Sequence, residues 1–292
     1  MVTSSSNAGV WLYLCSFLLH FVAITNAGES FPANKESAMD ALNPRQQQVL
    51  QLAREHGYVT VEDLADRLAV THQTIRRDIN FLCDQGILAR FHGGAAWRSS
   101  VANVPYEARR DSLTQEKQAI ARAVAAEIPD NSSVFIDIGT TAEAVAVHLA
   151  SSKGLRVVTN NINVVNLLAK NETVEMVICG GVVRSRDLAI WGPTATEFIT
   201  RFQFDYAILG VVGISQDGSI LDFSVDEEPL TQAIIKSGRH VYVVADHTKF
   251  GRHAMVKVAH LSQISAVFTD AAPSPQWLEL MENLGVRTVV SG

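Results

Sequence analysis

The chain has 292 residues and carries 24 Lys and Arg against 30 Asp and Glu, a formal net charge of −6. An acidic balance of this kind excludes nucleic-acid binding spread over the whole surface, so any such binding has to be local. Cys15, Cys83 and Cys179 are odd in number and widely spaced, which argues against a disulfide framework or a zinc site and for free thiols in a reducing compartment, with Cys83 and Cys179 expected in the core.

Residues 1–40 stand apart. Val10 to Ile24 is apolar and aromatic, with Trp11, Tyr13, Phe17 and Phe21, and no Lys or Arg precedes Lys35. The run is too short for a comfortable membrane span and lacks the basic leader of a secretory signal, with Thr25-Asn26-Ala27 a poor cleavage site. It reads as a start-site extension or an unstructured apolar segment, with Met39 as the true start, rather than as the mark of a secreted or membrane protein.

Residues 41–98 read as three helices and a hairpin. Pro44 to Glu55 carries Val49, Leu50, Leu52 and Ala53 and ends at Gly57. Thr60-Val61-Glu62-Asp63 is close to a capping box and opens a short helix through Leu64, Ala65 and Leu68. After Ala69-Val70, Thr71 caps a third helix in which Ile75, Ile79 and Leu82 recur on one stripe. The opposite face carries Gln73, Arg77 and Asn80, flanked by Thr74 and Arg76, all able to reach base edges or phosphates. Arg90-Phe91-His92-Gly93-Gly94 then forms a basic tight turn, and Ala95-Ala96-Trp97 can return as a second strand.

Many amphipathic helices with paired arginines are merely solvated. Here a capped helix, a short turn, a second capped helix and a basic Gly-Gly hairpin follow one another, and the agreement of these elements predicts a winged helix-turn-helix for double-stranded DNA. The expected contacts are Thr71, Gln73, Thr74, Arg76, Arg77, Asn80, Arg90, His92 and Gly93. Asp78 fits a phosphate backbone badly, so it is expected near the core, paired with Arg90 or Arg76. Residues 41–100 hold seven Arg and six Asp or Glu, a balance that gives one copy modest affinity and calls for a homo-oligomer, a dimer or tetramer, on a repeated operator.

A polar stretch over 99–113 reads as a linker. A helix from Thr114 through Ile120, Ala121, Val124, Ala125 and Ile128 stops at Pro129 and opens a region from 114 to 292. There, continuous apolar runs end in small or polar residues: Val134-Phe135-Ile136, Leu155 to Val158, Val174 to Cys179, Tyr206 to Leu209, Val241 to Ala245, and Ala266-Val267-Phe268. Runs apolar on both faces predict an α/β fold around a mostly parallel sheet, with ligands beyond the carboxyl ends of the strands. Asp137, Gly139, Thr140, Thr141, Thr159, Asn160, Asn161, Gly180, Gly181, Asp246 and Lys249 all fall there. Each signal alone is an ordinary cap or turn; together they predict a seat for a phosphorylated small molecule, with Lys249 or Arg184 as countercharge. His247 and His253 lie six apart in a loop and make a weak case for a metal. Neither metal nor cofactor is expected.

Taken in order, Thr74-Ile75-Arg76-Arg77-Asp78, Arg90 to Ala95, Asp137-Ile138-Gly139-Thr140-Thr141, Thr159-Asn160-Asn161, Gly180-Gly181 and Asp246-His247-Thr248-Lys249-Phe250-Gly251 resemble the DeoR family of bacterial repressors from about Pro44 to Asp270. The resemblance implies a sensor domain of the fold shared with ribose-5-phosphate isomerase and CoA transferases. Ser99-Ser100 with Pro105, Arg184 to Asp187, and Phe250 to Val256 are similar to members that repress glycerol uptake and catabolism genes, are relieved by glycerol 3-phosphate and form tetramers. It also brings in Glu227, matching an acidic residue that the family usually follows with basic residues about four positions on; Pro229-Leu230-Thr231-Gln232 departs from that pattern.

The leading expectation is a cytoplasmic repressor released from its operator by a phosphorylated effector, glycerol 3-phosphate or another sugar phosphate, and not an enzyme. The competing class is a sugar-phosphate isomerase with Asp137, Glu227 or Asp246 as general base, which would gain nothing from a DNA-binding head.

Overall fold

The computed structural model describes residues 42–56, 58–91, 93–97 and 104–292. Val10 to Ile24, His92 of the wing and Ser99-Ser100 lie outside the described residues.

The first elements are α1 (Pro44–His56), β1 (Tyr58–Thr60), α2 (Val61–Leu68), α3 (His72–Asp84), β2 (Leu88–Phe91) and β3 (Gly94–Trp97). Thr60 Oγ1 accepts the Asp63 N–H at 3.0 Å and opens α2, whereas the Asp63 carboxylate turns forward to Arg67 at 2.8 Å rather than back to close a capping box. Ala69 adopts a left-handed conformation (φ 51°), ending α2 and freeing Thr71 to cap α3 through the Thr74 N–H at 3.3 Å. Val49, Ala53, Leu64, Ile75, Ile79 and Leu82 are buried together with Leu88 and Ala95 of the wing, each large side chain contributing about 1.5–3 kcal/mol on leaving water. The wing is three-stranded, in the order β1-β3-β2, with Tyr58 opposite Ala96 and Thr60 opposite Gly94. Gly93 lies at φ 77°, and a Cβ on Gly94 would collide with the Val59 carbonyl, so each glycine is required, for a different reason.

Asp78 is buried, as expected, but its partner is neither Arg90 nor Arg76. Arg45 of α1 donates through Nε at 2.5 Å, tying the first helix to the third, and Gln46 Nε2 lies at 3.4 Å. Arg90 instead faces Asp84 at 3.7 Å on the surface. Cys179 is buried, whereas Cys83 on α3 is only half-buried.

The stretch 99–113, expected as a linker, contains a helix, α4 (Tyr106–Asp111), and α5 (Thr114–Ala126) follows directly. The chain continues as β4 (Ser133–Ile136), α6 (Thr140–Leu149), β5 (Arg156–Thr159), α7 (Ile162–Leu168), β6 (Glu175–Ile178), β7 (Val182–Arg184), β8 (Ala189–Trp191), α8 (Pro193–Ile199) and β9 (Phe204–Gly210). Then come β10 (Gly213–Ile214), β11 (Ser219–Asp222), α9 (Glu227–Ser237), β12 (Gly238–Val244), β13 (Val256–His260), β14 (Ala266–Thr269), α10 (Pro275–Asn283) and β15 (Arg287–Val290).

Seven strands form one parallel sheet in the order β15-β14-β12-β9-β4-β5-β6. Successive side chains of a strand leave on opposite faces. Val134 and Ile136 accordingly pack with Ile120, Val145, Leu149 and Leu168 of α5, α6 and α7, while Phe135 packs with Ile199, Leu230 and Ile234 of α8 and α9. Both faces are covered over the centre of the sheet, which is why β4, β9, β12 and β14 read as unbroken apolar runs, whereas β5 opens on the exposed Arg156 and the edge strand β6 on the exposed Glu175. The edge strand β15, the antiparallel β7-β8 hairpin and the antiparallel β10-β11-β13 sheet carry no such run and lay beyond sequence reasoning.

From β4 the chain adds β5 and β6 on one side, then returns through β9 and adds β12, β14 and β15 on the other. The strand order therefore reverses between β4 and β9. Loops leaving the carboxyl ends of these two strands diverge, and a crevice opens between them.

Candidate functional site

A cavity of about 420 Å³ occupies that crevice. Its wall includes Ile138, Gly139, Thr140 and Thr141 after β4, Gly210, Val211 and Val212 after β9, Arg184, Arg186 and Asp187 from the β7-β8 hairpin, Asp222 and Phe223 after β11, Glu227 of α9, and Lys249. Gly139 lies at φ 122° and precedes α6 with no side chain capping it. The first N–H groups of a ten-residue helix thus face the cavity, flanked by two threonine hydroxyls that bond to nothing among the described residues. Such a terminus attracts anions.

Lys249 adds a cation with incomplete compensation. Its ammonium stands 3.8 Å from Asp246, and burial lowers its pKa to about 8 despite that neighbour. Asp246 itself is buried, but Lys249 and the bonds from Thr248 outweigh the desolvation and hold its carboxyl below the ordinary range. Arg184 is differently placed. It grips Asp187 with two bonds, at 2.8 and 3.0 Å, and reaches Glu227 at 2.6 Å, so its guanidinium is committed within the wall. Burial raises the Glu227 pKa even against that arginine.

Of the residues expected around a ligand, Gly139, Thr140, Thr141, Arg184, Glu227 and Lys249 line the cavity. Asp137, Thr159, Asn160, Asn161, Gly180, Gly181 and Asp246 do not. Thr159 Oγ1 donates to the Ile136 carbonyl at 2.5 Å, Asn160 Nδ2 donates to Asp137 at 3.0 Å, and Asn161 caps α7 while donating to Glu143 at 3.0 Å. These side chains lock the strand ends together behind the cavity. Asp137 is pushed up to about 7 by burial and by the charge of Glu227. Gly180 and Gly181 open the β7-β8 hairpin, where a Cβ on Gly181 would meet the Trp191 carbonyl at 2.7 Å. Thr231 and Gln232, the departure from the family pattern, also lie off the wall: Gln232 ties α9 to β13 through the Val258 carbonyl at 2.8 Å.

Sequence reasoning missed the contribution of the linker helix. Tyr106, Glu107 and Arg109 of α4 close one side of the cavity, and the Tyr106 hydroxyl donates to Glu143 at 2.7 Å. It missed Arg186, Asp187, Asp222 and Phe223 as well. Tyr106 and Arg109 sit three apart, one turn of helix, which is the only signal the sequence offers for them.

Each of the three carboxylates offered as an isomerase base has a partner. Asp137 and Asp246 sit behind the wall, and Glu227 is held by Arg184.

On the helix-turn-helix, Gln73, Arg76, Arg77 and Asn80 are exposed along one side of α3, and none has a side-chain hydrogen bond or ion pair among the described residues. Thr71 and Thr74 are engaged in the cap, their hydroxyls 3.0 Å apart. Arg90 and Gly93 are exposed on the wing. No cluster of His, Cys, Asp or Glu suited to a metal occurs among the described residues, and no helix there is long and apolar enough to cross a membrane.

Comparison with family models matches residues 45–101 to the DeoR-like helix-turn-helix domain and residues 112–271 to the DeoR C terminal sensor domain. The glycerol-3-phosphate regulon repressor of Escherichia coli (strain K12) is 46% identical, over 80% of this chain and 92% of its own length. The HTH-type transcriptional repressor CsqR of the same organism is 43% identical, over 79% of this chain and 88% of its own. Among solved structures, ribose 5-phosphate isomerase from Plasmodium falciparum aligns with a TM-score of 0.34 at 12% identity, over 46% of this chain and 52% of that one. With its two domains matched in order and relatives of this identity spanning most of both chains, the protein belongs to the DeoR family.

Proposed function

We propose that the chain is a cytoplasmic repressor of glycerol 3-phosphate genes that holds operator DNA through α3 and the wing and is released when glycerol 3-phosphate enters the cavity. The observation that carries the effector side is the meeting of the uncapped α6 terminus, the Thr140 and Thr141 hydroxyls and the Lys249 ammonium on one wall at the strand reversal. A phosphate there gains backbone donors and a charge partner at once. The uncommitted polar row on α3 supports the DNA side, and the relative at 46% identity supports the gene set. Near-neutral charge in the head makes a dimer or tetramer on a repeated operator the functional unit. Release requires the ligand to favour one arrangement of the heads over another.

The test is a mobility-shift titration on a glycerol-catabolism promoter, with and without glycerol 3-phosphate. Retention lost on adding the ligand is expected; a promoter that is never retained refutes the reading. Cavity volume favours one second reading, a larger sugar phosphate, since about 420 Å³ exceeds what a three-carbon phosphate fills. Retention relieved by hexose phosphates alone would select it.

A further inference from the structure

We infer that Arg109, carried by the linker helix α4, is an anion-recognition residue of the cavity. This rests on the reading of the cavity as an effector site.

Arg109 has an incomplete set of bonds. It lines the cavity, and its Nε donates to the carbonyl of Val104, just ahead of the helix, at 3.1 Å. Its two terminal amino groups have no hydrogen bond or carboxylate partner among the described residues. Tyr106 packs beside it, with the guanidinium 5.8 Å from the ring centre. By accessible surface the side chain is half-buried, yet it is packed deeply enough that desolvation pulls its pKa below the ordinary guanidinium value; the charges of Asp187 and Glu143 oppose that shift, and Arg184 and Arg186 add to it. A guanidinium held in this way matches a phosphate fork in geometry and charge.

The helix that carries Arg109 is fastened at both ends. At one end, Tyr106 is anchored on Glu143, which also accepts from Asn161 and Asn163 at 3.0 Å, so the helix is pinned to α6 and α7. At the other end, the buried Lys117 ammonium donates to the carbonyls of Arg109 and Ser112. Leu113 then turns the chain into α5 in a left-handed conformation (φ 48°), costly for a branched side chain and suited to a hinge. One short helix is thus held at both ends, which presets the Arg109 guanidinium against the cavity.

The test uses the full chain. Wild type, R109Q and R109K are titrated calorimetrically with glycerol 3-phosphate and with inorganic phosphate. R109Q should bind both anions about tenfold or more weakly, with R109K recovering part of the loss and guarding against a folding defect. Wild-type uptake of neither anion would overturn the cavity reading and this inference with it. Wild-type uptake together with R109Q affinity within threefold would overturn the Arg109 assignment alone.

Discussion

Lys249 gives the cavity a pH dependence whose sign and size follow from its surroundings. In the free protein burial sets its pKa at about 8, so the ammonium is about nine-tenths charged at pH 7 and about one-tenth charged at pH 9. A phosphate dianion beside it favours the charged form and restores the pKa toward that of an ordinary lysine. The depressed pKa thus belongs to the empty state, and binding takes up a proton as pH rises through 8. Affinity is full below pH 8 and falls above it, by about tenfold between pH 7 and pH 9 and by up to tenfold for each further unit. Calorimetry of glycerol 3-phosphate at pH 7, 8 and 9, in buffers of different ionisation enthalpy, reads both the affinity and the proton. Asp137, at about 7, also gains charge over the lower half of this range. K249R is therefore the control: it holds its charge throughout and should lose less than about threefold between pH 7 and 9. A flat wild-type curve, or the same tenfold loss in K249R, would refute the assignment.

Other outcomes follow from single contacts. R77A should weaken operator binding by about 1–3 kcal/mol in a mobility shift while glycerol 3-phosphate affinity stays at the wild-type value. D78N removes the charged acceptor of the Arg45–Asp78 pair, and thermal unfolding of the helix-turn-helix should show a loss of about 1–3 kcal/mol. G94A drives a methyl group into the Val59 carbonyl, so the wing should lose exchange protection and operator affinity together while calorimetric ligand binding persists.

Much of this architecture is legible before any coordinates. The Thr71 cap and the stripe of Ile75, Ile79 and Leu82 specify α3 because a helix must bury one face, and the buried strands announce themselves because both of their faces are apolar. The site was legible only in outline. Polar residues at strand ends are equally suited to facing a ligand and to bonding inward. Gly139, Thr140 and Lys249 face the cavity; Thr159, Asn160 and Asn161 bond inward. Which way each turns depends on partners such as Glu143 and Asp137, far away in sequence. Arg109 escaped notice because a six-residue helix in a polar stretch has too few turns to show a period. Asp78 was assigned to the wrong arginine for a related reason: its partner lies 33 residues upstream, on a different helix.

The inward-bonded set has an evolutionary consequence. Thr159, Asn160, Asn161 and Glu143 fix the strand ends without touching the cavity, whereas Val211, Val212, Phe223 and Arg186 shape its wall. Scaffold and selectivity thus reside in different side chains. Exchange of a wall residue can retune the protein toward another metabolite while the braces behind it keep the sheet in register, so a duplicated copy of this gene can acquire a new signal without first losing its fold.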